Sequence, residues 1–304
     1  MSLERFEILL DDGIKEYRPG QIISGKIVIK ANEEIKCEGL TLKFKGHAYV
    51  RFTSGTENDE DTFTDSEVFF EFKEQLMGDG KNEIRISPGH EHVYEFTFQI
   101  PLQPLPANFK KLHGKVEYFL KGVVKRSLWK LNITTLQSIT ILPELDQDLV
   151  LEAALPSEIK TSKTFGFMCC TSGPLYLNVR VPRRVCVPGE TILFEVEVNN
   201  MSRNRIADLS AQIFQKVYLT GKHLKREKTS TSHASFNEIR RGHGVVEGDC
   251  DTWCDELLVP LVPPTKLGGG CKFIDVQYFI LVTAHVADLC AINPKALCPI
   301  LIST

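Results

Sequence analysis

The chain writes one pattern twice. "YRPGQIISGKIVIK", Tyr17 to Lys30, opens on a Pro-Gly pair and goes on with Ile23, Gly25, Ile27 and Ile29 at every second position. "CVPGETILFEVEVN", Cys186 to Asn199, repeats that layout: an offset of 169 residues sets Pro19 on Pro188, Gly20 on Gly189, Ile27 on Val196 and Ile29 on Val198. At the same offset "CEGLTLKFKGHAYV" falls on "IADLSAQIFQKVYL", pairing Phe44 with Ile213 and Tyr49 with Tyr218. Farther on, "VEYFLKGVV" from Val116 meets "VQYFILVTA" from Val276 at an offset of 160, each copy preceded by a proline-bearing stretch. Three segments in one order, with only loop lengths differing, imply a duplicated unit. A chain of 304 residues with 42% hydrophobic content has enough apolar material for two cores.

Each copy starts with a turn that Pro and Gly make easy, and the alternation after it buries one face of a strand. Other segments, among them "VYEFTFQI" at Val93, "LNITTLQSITIL" at Leu131 and "LYLNVRV" at Leu175, have the same β-rich, alternating character. Nothing reads as a long amphipathic helix; short helical turns are expected near "DQDLVLEAAL" and between Pro104 and Lys111. The expected class is all-β, two tandem immunoglobulin-like β-sandwich domains at 1–145 and 167–304, with a polar linker at 146–166.

Several function classes lose ground on composition. A net charge of −3 gives no global attraction to nucleic acid, so any anion binding must come from local patches. The N-terminus carries Glu4, Arg5 and Glu7 where a secretory signal needs an apolar run, and the most apolar stretch, from Phe273, contains Asp275, His285 and Asp288. Nine sparse cysteines suit a reducing compartment. Gly-x-Ser-x-Gly, Gly-x-x-x-x-Gly-Lys-Ser/Thr and His-Glu-x-x-His are all missing, so neither a catalytic site nor a cofactor is expected.

The segments "YRPGQIISGKIVI", "GKVEYFLKGVVKR", "VCVPGETILFEVEVNN", "VEGDCDTWCDELLVP" and "FIDVQYFILVTA" together resemble the α-arrestins over essentially the whole chain. The resemblance implies an arrestin fold and a non-catalytic cytosolic adaptor, recruited to plasma membrane and endosomes. Such an adaptor couples the cytoplasmic tails of receptors or transporters to ubiquitin-dependent sorting. In that family WW-domain ubiquitin ligases read Pro-Pro-x-Tyr motifs in a tail beyond the second domain. Here the one Pro-Pro, Pro263-Pro264, is followed by Thr265 and Lys266, so ligase recruitment would need a tail absent from this sequence. An endosomal coat subunit of the same fold is an alternative, and would show a stable protein partner.

A redox regulator is the other alternative. Cys250, in Gly248-x-Cys250-x-x-Trp253, matches the position through which one family member engages thioredoxin. Asp249, Asp251 and Asp255 oppose a thiolate there, and a buried structural cysteine is the plainer expectation. Cys250 and Cys254 alone fall short of a four-ligand zinc site, so no metal is expected.

Basic residues supply the partner-binding candidates. Lys222, Lys225, Arg226 and Lys228 crowd one hairpin suited to acidic tails or to peripheral contact with anionic membrane. Lys115 and Lys121, six apart on one strand, share a face, and the resemblance to arrestins implies that basic groups there hold the phosphorylated tails of cargo. Arg180, Arg183, Arg184, Arg240 and Arg241 add positive charge to the second half, and "SGTENDEDTFTDSE" from Ser54 is expected to be a mobile acidic loop.

Overall fold

The computed structural model describes residues 3–11, 13–56, 59–126, 130–144, 147–167, 170–288 and 292–303. The chain divides into two compact units. The first comprises Met1–Glu144 together with Leu219–Thr229 and Gly269–Phe273; the second comprises Leu145–Tyr218, Ser230–Gly268 and Ile274–Thr304.

The first unit contains β1 (Leu3–Leu10), β2 (Glu16–Tyr17), β3 (Ile22–Ala31), β4 (Ile35–Cys37), β5 (Gly39–Thr56) and β6 (Asp59–Gly78). β7 (Ile84–Ile86), β8 (Glu91–Gln99), β9 (Phe109–Lys111), β10 (Gly114–Lys125) and β11 (Ile133–Ile141) follow. One sheet has the order β1-β3-β8 and the other β6-β5-β10-β11-β2, with β9 on β10 and the short pair β4-β7 apart. The second unit opens with the helix α1 (Gln147–Ala153), then β12 (Ser157–Phe167), β13 (Cys170–Val181), β14 (Val185–Cys186), β15 (Thr191–Asn200) and β16 (Ile206–His223). It is completed by β17 (Arg226–Arg240), β18 (Cys250–Leu258), β19 (Ile274–Val286) and β20 (Lys295–Ile302); the β16–β17 hairpin from Leu219 to Thr229 belongs to the first unit. Its sheets run β12-β13-β15-β18 and β17-β16-β19-β20-β14.

The two topologies superimpose strand for strand: β13-β15-β18 repeats β1-β3-β8, and β17-β16-β19-β20-β14 repeats β6-β5-β10-β11-β2. Even the unusual element recurs, a two-residue strand lying parallel to the last long strand, β2 on β11 and β14 on β20. β3 and β15, like β2 and β14, have boundaries displaced by the same 169 residues that the sequence match requires. The all-β class with two sandwiches is therefore as expected.

The Pro-Gly turns show why. Gly20 sits at φ 83° and Gly189 at φ 90°, the left-handed region that the third residue of a type II turn must enter. The turns close by Gln21 N–H to Arg18 C=O at 3.2 Å and Glu190 N–H to Val187 C=O at 3.1 Å. Beyond each turn the alternating residues face inward: Ile23, Ile27 and Ile29 in one copy, Ile192, Phe194, Val196 and Val198 in the other, all buried. Each such side chain contributes about 1.5–3 kcal/mol on leaving water.

The proline-bearing stretches are tied down by tyrosine. Tyr118 on β10 donates its hydroxyl to the Pro106 carbonyl at 2.7 Å, and Tyr278 on β19 donates to the Pro263 carbonyl at 2.6 Å. Burial pushes both phenols above their ordinary pKa. The copies differ beside the ring. In the second, buried Gln215 donates to the Tyr278 hydroxyl at 2.8 Å; in the first, the matching position is Gly46, where a Cβ would stand 2.5 Å from the Tyr118 ring.

Three local expectations are corrected. Residues from Pro104 to Lys111 form no helix; they run without regular structure into β9. The acidic segment from Ser54 is no loop, because its described residues lie in the paired arms of β5 and β6, from Thr53↔Thr62 to Thr56↔Asp59. Residues 146–166, expected as a linker, hold α1 and most of β12, which pairs along β13 as an edge strand of its sheet.

Removing each tyrosine hydroxyl tests the closure. Tyr118→Phe leaves one buried carbonyl unpaired and is expected to cost about 1–3 kcal/mol. Tyr278→Phe also removes the hydroxyl to which Gln215 donates and should cost more; urea denaturation of the two variants measures the difference.

Candidate functional site

The outward face of the first unit's larger sheet concentrates lysine. β5 buries Leu40, Leu42, Phe44, Ala48 and Val50, so Lys43, Lys45 and His47 between them face out. In register, Lys43 lies between Lys73 on β6 and Lys121 on β10, three lysines side by side across three strands. Leu136 on β11 extends the row and is exposed. Like charges placed directly opposite one another destabilise a sheet. Glu71 relieves them in part, taking the Lys43 Nζ at 2.7 Å and the Lys45 Nζ at 3.1 Å. Those two ammonium groups hold the Glu71 carboxyl below its usual range. Among the described residues no carboxylate lies within ion-pair distance of Lys73 or Lys121.

Lys115 and Lys121 do lie on this one face of β10, but differ in surroundings. The Lys115 Nζ is 2.8 Å from Glu117, whose carboxylate also stands 3.3 Å from His47 Nε2. Burial lowers the His47 pKa, with Glu117 opposing. Lys43, Lys45 and Lys73 escaped the sequence reading, although "LKFKGH" and "FEFKEQ" carry lysines at strand alternation.

The basic hairpin and the acidic segment, read from sequence as separate features, are counter-ions within the first unit. Arg226 pairs with Asp61 at 2.6 Å, His223 with the same carboxylate at 3.3 Å, and Lys222 with Asp65 at 3.7 Å. Glu67, from the same acidic segment, takes Lys272 at 2.9 Å. Lys225 and Lys228 lie exposed beyond these pairs. Arg226 and Lys222 are largely solvent-exposed, so each pair contributes little, of order 0–1 kcal/mol.

Five arginines of the second unit are likewise matched. Arg180 bridges Glu158 at 2.9 Å and Glu195 at 3.2 Å, Arg183 meets Glu190, Arg184 meets Glu152, and Arg241 meets Asp251 at 2.7 Å. Arg240 is shared by Glu238 and Asp208. Only local pairing, not a basic surface, follows from these residues.

Cys250 is exposed, which corrects the expectation of a buried structural cysteine. It begins β18, an edge strand, opposite Asn199, and alternation puts Cys254 on the same outward file. Four residues along a strand separate the two by about 13 Å, too far for a disulfide or a shared metal ion. Among the described residues no three His, Cys, Asp or Glu side chains cluster as metal ligands would. Cys254 instead lines a cavity of about 910 Å³ with Leu193, Pro156, Pro182 and the Arg180 bridge. No helix among the described residues is long and apolar enough to cross a membrane.

Comparison with known proteins agrees with the duplicated topology. The arrestin (or S-antigen) N-terminal domain matches residues 6–148 and the arrestin C-terminal domain residues 171–304. Arrestin domain-containing protein 17 of Caenorhabditis elegans is 27% identical over 297 residues, covering 92% of this chain and 67% of that protein. Thioredoxin-interacting protein of Sus scrofa is 23% identical over 291 residues, 94% of this chain and 71% of that protein. Arrestin domain-containing protein 4 of Homo sapiens is 27% identical over 280 residues, 89% and 64% respectively. The chain belongs to the arrestin family, among the arrestin domain-containing proteins known as α-arrestins.

The lysine row makes a direct prediction. Lys73→Gln removes one of three facing charges and is expected to raise the denaturant midpoint at low ionic strength, with the gain vanishing as salt screens the row. Urea titrations at low and high salt check it.

Proposed function

We propose that this chain is a non-catalytic cytosolic adaptor that binds acidic or phosphorylated cytoplasmic tails of membrane receptors or transporters and delivers them to ubiquitin-dependent sorting. The observation that carries the reading is the lysine row Lys73, Lys43 and Lys121, with Glu71 as its local counter-charge. An extended tail laid across that face would place its carboxylates or phosphates among ammonium groups that now repel one another, and Leu136 would meet an apolar side chain. Membership in a family of adaptors supports the same reading. The basic hairpin is a weaker candidate for the tail, because Lys222 and Arg226 already have carboxylate partners.

Fluorescence anisotropy with an acidic, phosphorylated tail peptide tests this. The Lys43→Glu/Lys121→Glu variant should bind at least about tenfold more weakly, since two charge-assisted contacts at roughly 1 kcal/mol or more each are reversed. Lys115→Glu should have a smaller effect, because Glu117 already engages that lysine. Unchanged affinity in the double variant would sink the proposal.

The exposure of Cys250 favours a second reading, in which a partner is held by thiol–disulfide exchange. The Cys250 thiolate would attack the disulfide of oxidised thioredoxin, forming the mixed disulfide and releasing one thioredoxin thiolate. Thioredoxin-interacting protein, a relative named for that partner, supports the comparison. Capture of oxidised thioredoxin should be lost in Cys250→Ser and kept in Cys254→Ser; equal capture by both variants removes the reading.

A further inference from the structure

The outward face of the second unit's smaller sheet, β12-β13-β15-β18, carries more carboxylates than cations. Along β15, Ile192, Phe194, Val196 and Val198 are buried, which turns Leu193, Glu195 and Glu197 outward. Strand register sets Glu158, Arg180, Glu195 and Cys254 in one row across the sheet and puts Glu256 opposite Leu193. The cavity of about 910 Å³ is lined from this face, and its lining sets the carboxylates of Glu158, Glu195, Asp255 and Glu256 against one cation, Arg180. Arg180 is already shared by Glu158 at 2.9 Å and Glu195 at 3.2 Å. Asp255 accepts from the Trp253 indole N–H at 3.1 Å. Among the described residues no cation lies within ion-pair distance of Asp255 or Glu256. The charges just outside the lining, Lys160 and Arg183 with Glu190 and Glu197, cancel.

The middle of the face is apolar. Leu193 is 60% exposed, its diagonal neighbour Leu258 on β18 is 52% exposed, and Pro156 and Pro182 line the cavity with Leu193. Glu256, opposite Leu193, stands about 5 Å from it, and Glu195, two residues along β15, about 7 Å. An exposed aliphatic side chain is thus flanked by carboxylates on two sides. A segment that presents an aliphatic residue between two cations is its complement in charge and polarity.

Other occupants fit less well. An acidic or phosphorylated tail would meet like charge. A small ligand is normally enclosed over most of its surface, whereas Glu158, Arg180, Leu193, Cys254 and Glu256 are all exposed. A strand added along β18 would have to displace Arg241 and Asn237, which donate to the Thr252 carbonyl at 3.3 Å and to the Leu258 carbonyl at 2.7 Å.

We propose that this face docks a basic, extended segment of a partner protein, with an aliphatic side chain on Leu193 and the flanking lysine or arginine side chains at Glu195 and Glu256. The ligand is cationic and the site lies in the second unit, so the inference stands apart from the lysine row and from Cys250.

The probe is a fluorescein-labelled peptide, Lys-Ser-Leu-Ser-Lys-Ser-Leu-Ser-Lys, in which alternation puts lysine and leucine on one side; anisotropy with the full chain measures its affinity. Binding is expected to weaken as salt rises, to fall at least about fivefold in Leu193→Ser, and to fall at least about tenfold in Glu256→Lys. Both side chains are exposed, so these variants keep the fold, which circular dichroism verifies. A second readout needs no variant: the peptide should slow alkylation of Cys254 by N-ethylmaleimide, followed by peptide mass spectrometry. No binding, affinity unchanged by both variants, or unslowed alkylation of Cys254 overturns the proposal. Equal binding of a peptide with serine in place of each leucine overturns it too, leaving charge attraction alone. Affinity lost in Glu60→Lys but kept in Glu256→Lys moves the peptide to the acidic arms of β5 and β6, and also overturns it. The cargo reading is tested with a peptide of opposite charge, so either reading fails on its own.

Discussion

One buried hydroxyl closes each sandwich. The chain must cross from β8 to β10, or from β18 to β19, through a stretch rich in proline, which has carbonyls to satisfy but few N–H groups to pair them with. A side-chain donor from the core strand answers this, and Tyr118 and Tyr278 supply it with bonds of 2.7 and 2.6 Å. The aromatic body fills the space between the sheets while its tip fixes the crossing. Without that bond the crossing segment would leave a carbonyl unpaired in the core, and the order of strands on either side would lose its anchor.

Much of this architecture is legible in the residues themselves. Period-two burial, the Pro-Gly turns and the 169-residue echo depend on local geometry, and geometry of that kind repeats faithfully from sequence to strand. What stayed hidden is what depends on partners distant in the chain. "SGTENDEDTFTDSE" has the composition of a solvated loop, yet Asp61 and Asp65 are drawn into long arms by cross-strand pairing and by cations more than 150 positions later. Pro104 to Lys111 suggested a helical turn, but the demand of the crossing for an extended chain prevailed. The candidate face was half legible: alternation placed Lys115 and Lys121 together, whereas the row that lines Lys73, Lys43 and Lys121 abreast appears only when three strands fall into register.

Charge is managed differently in the two units. In the second, Arg180, Arg183, Arg184, Arg240 and Arg241 each have a carboxylate at hand, so their charge dissolves into short-range pairs. The first unit pairs acids along several strands as well, yet Lys73 and Lys121 on its open face have no carboxylate within ion-pair distance among the described residues. A net charge of −3 conceals such local contrasts, which is why composition offered no global attraction and left anion binding to local patches.

Two halves built to one plan run the risk of strand exchange while the chain folds, each β5 or β16 being a plausible guest in the other's sheet. Gly46 and Gln215 guard against it. β16 threaded beside Tyr118 would push the Gln215 side chain onto a ring that leaves no room even for a Cβ, 2.5 Å away. β5 threaded beside Tyr278 would bring a bare glycine where the phenol expects a donor at 2.8 Å. The two copies, alike in outline, are thus not interchangeable at this position.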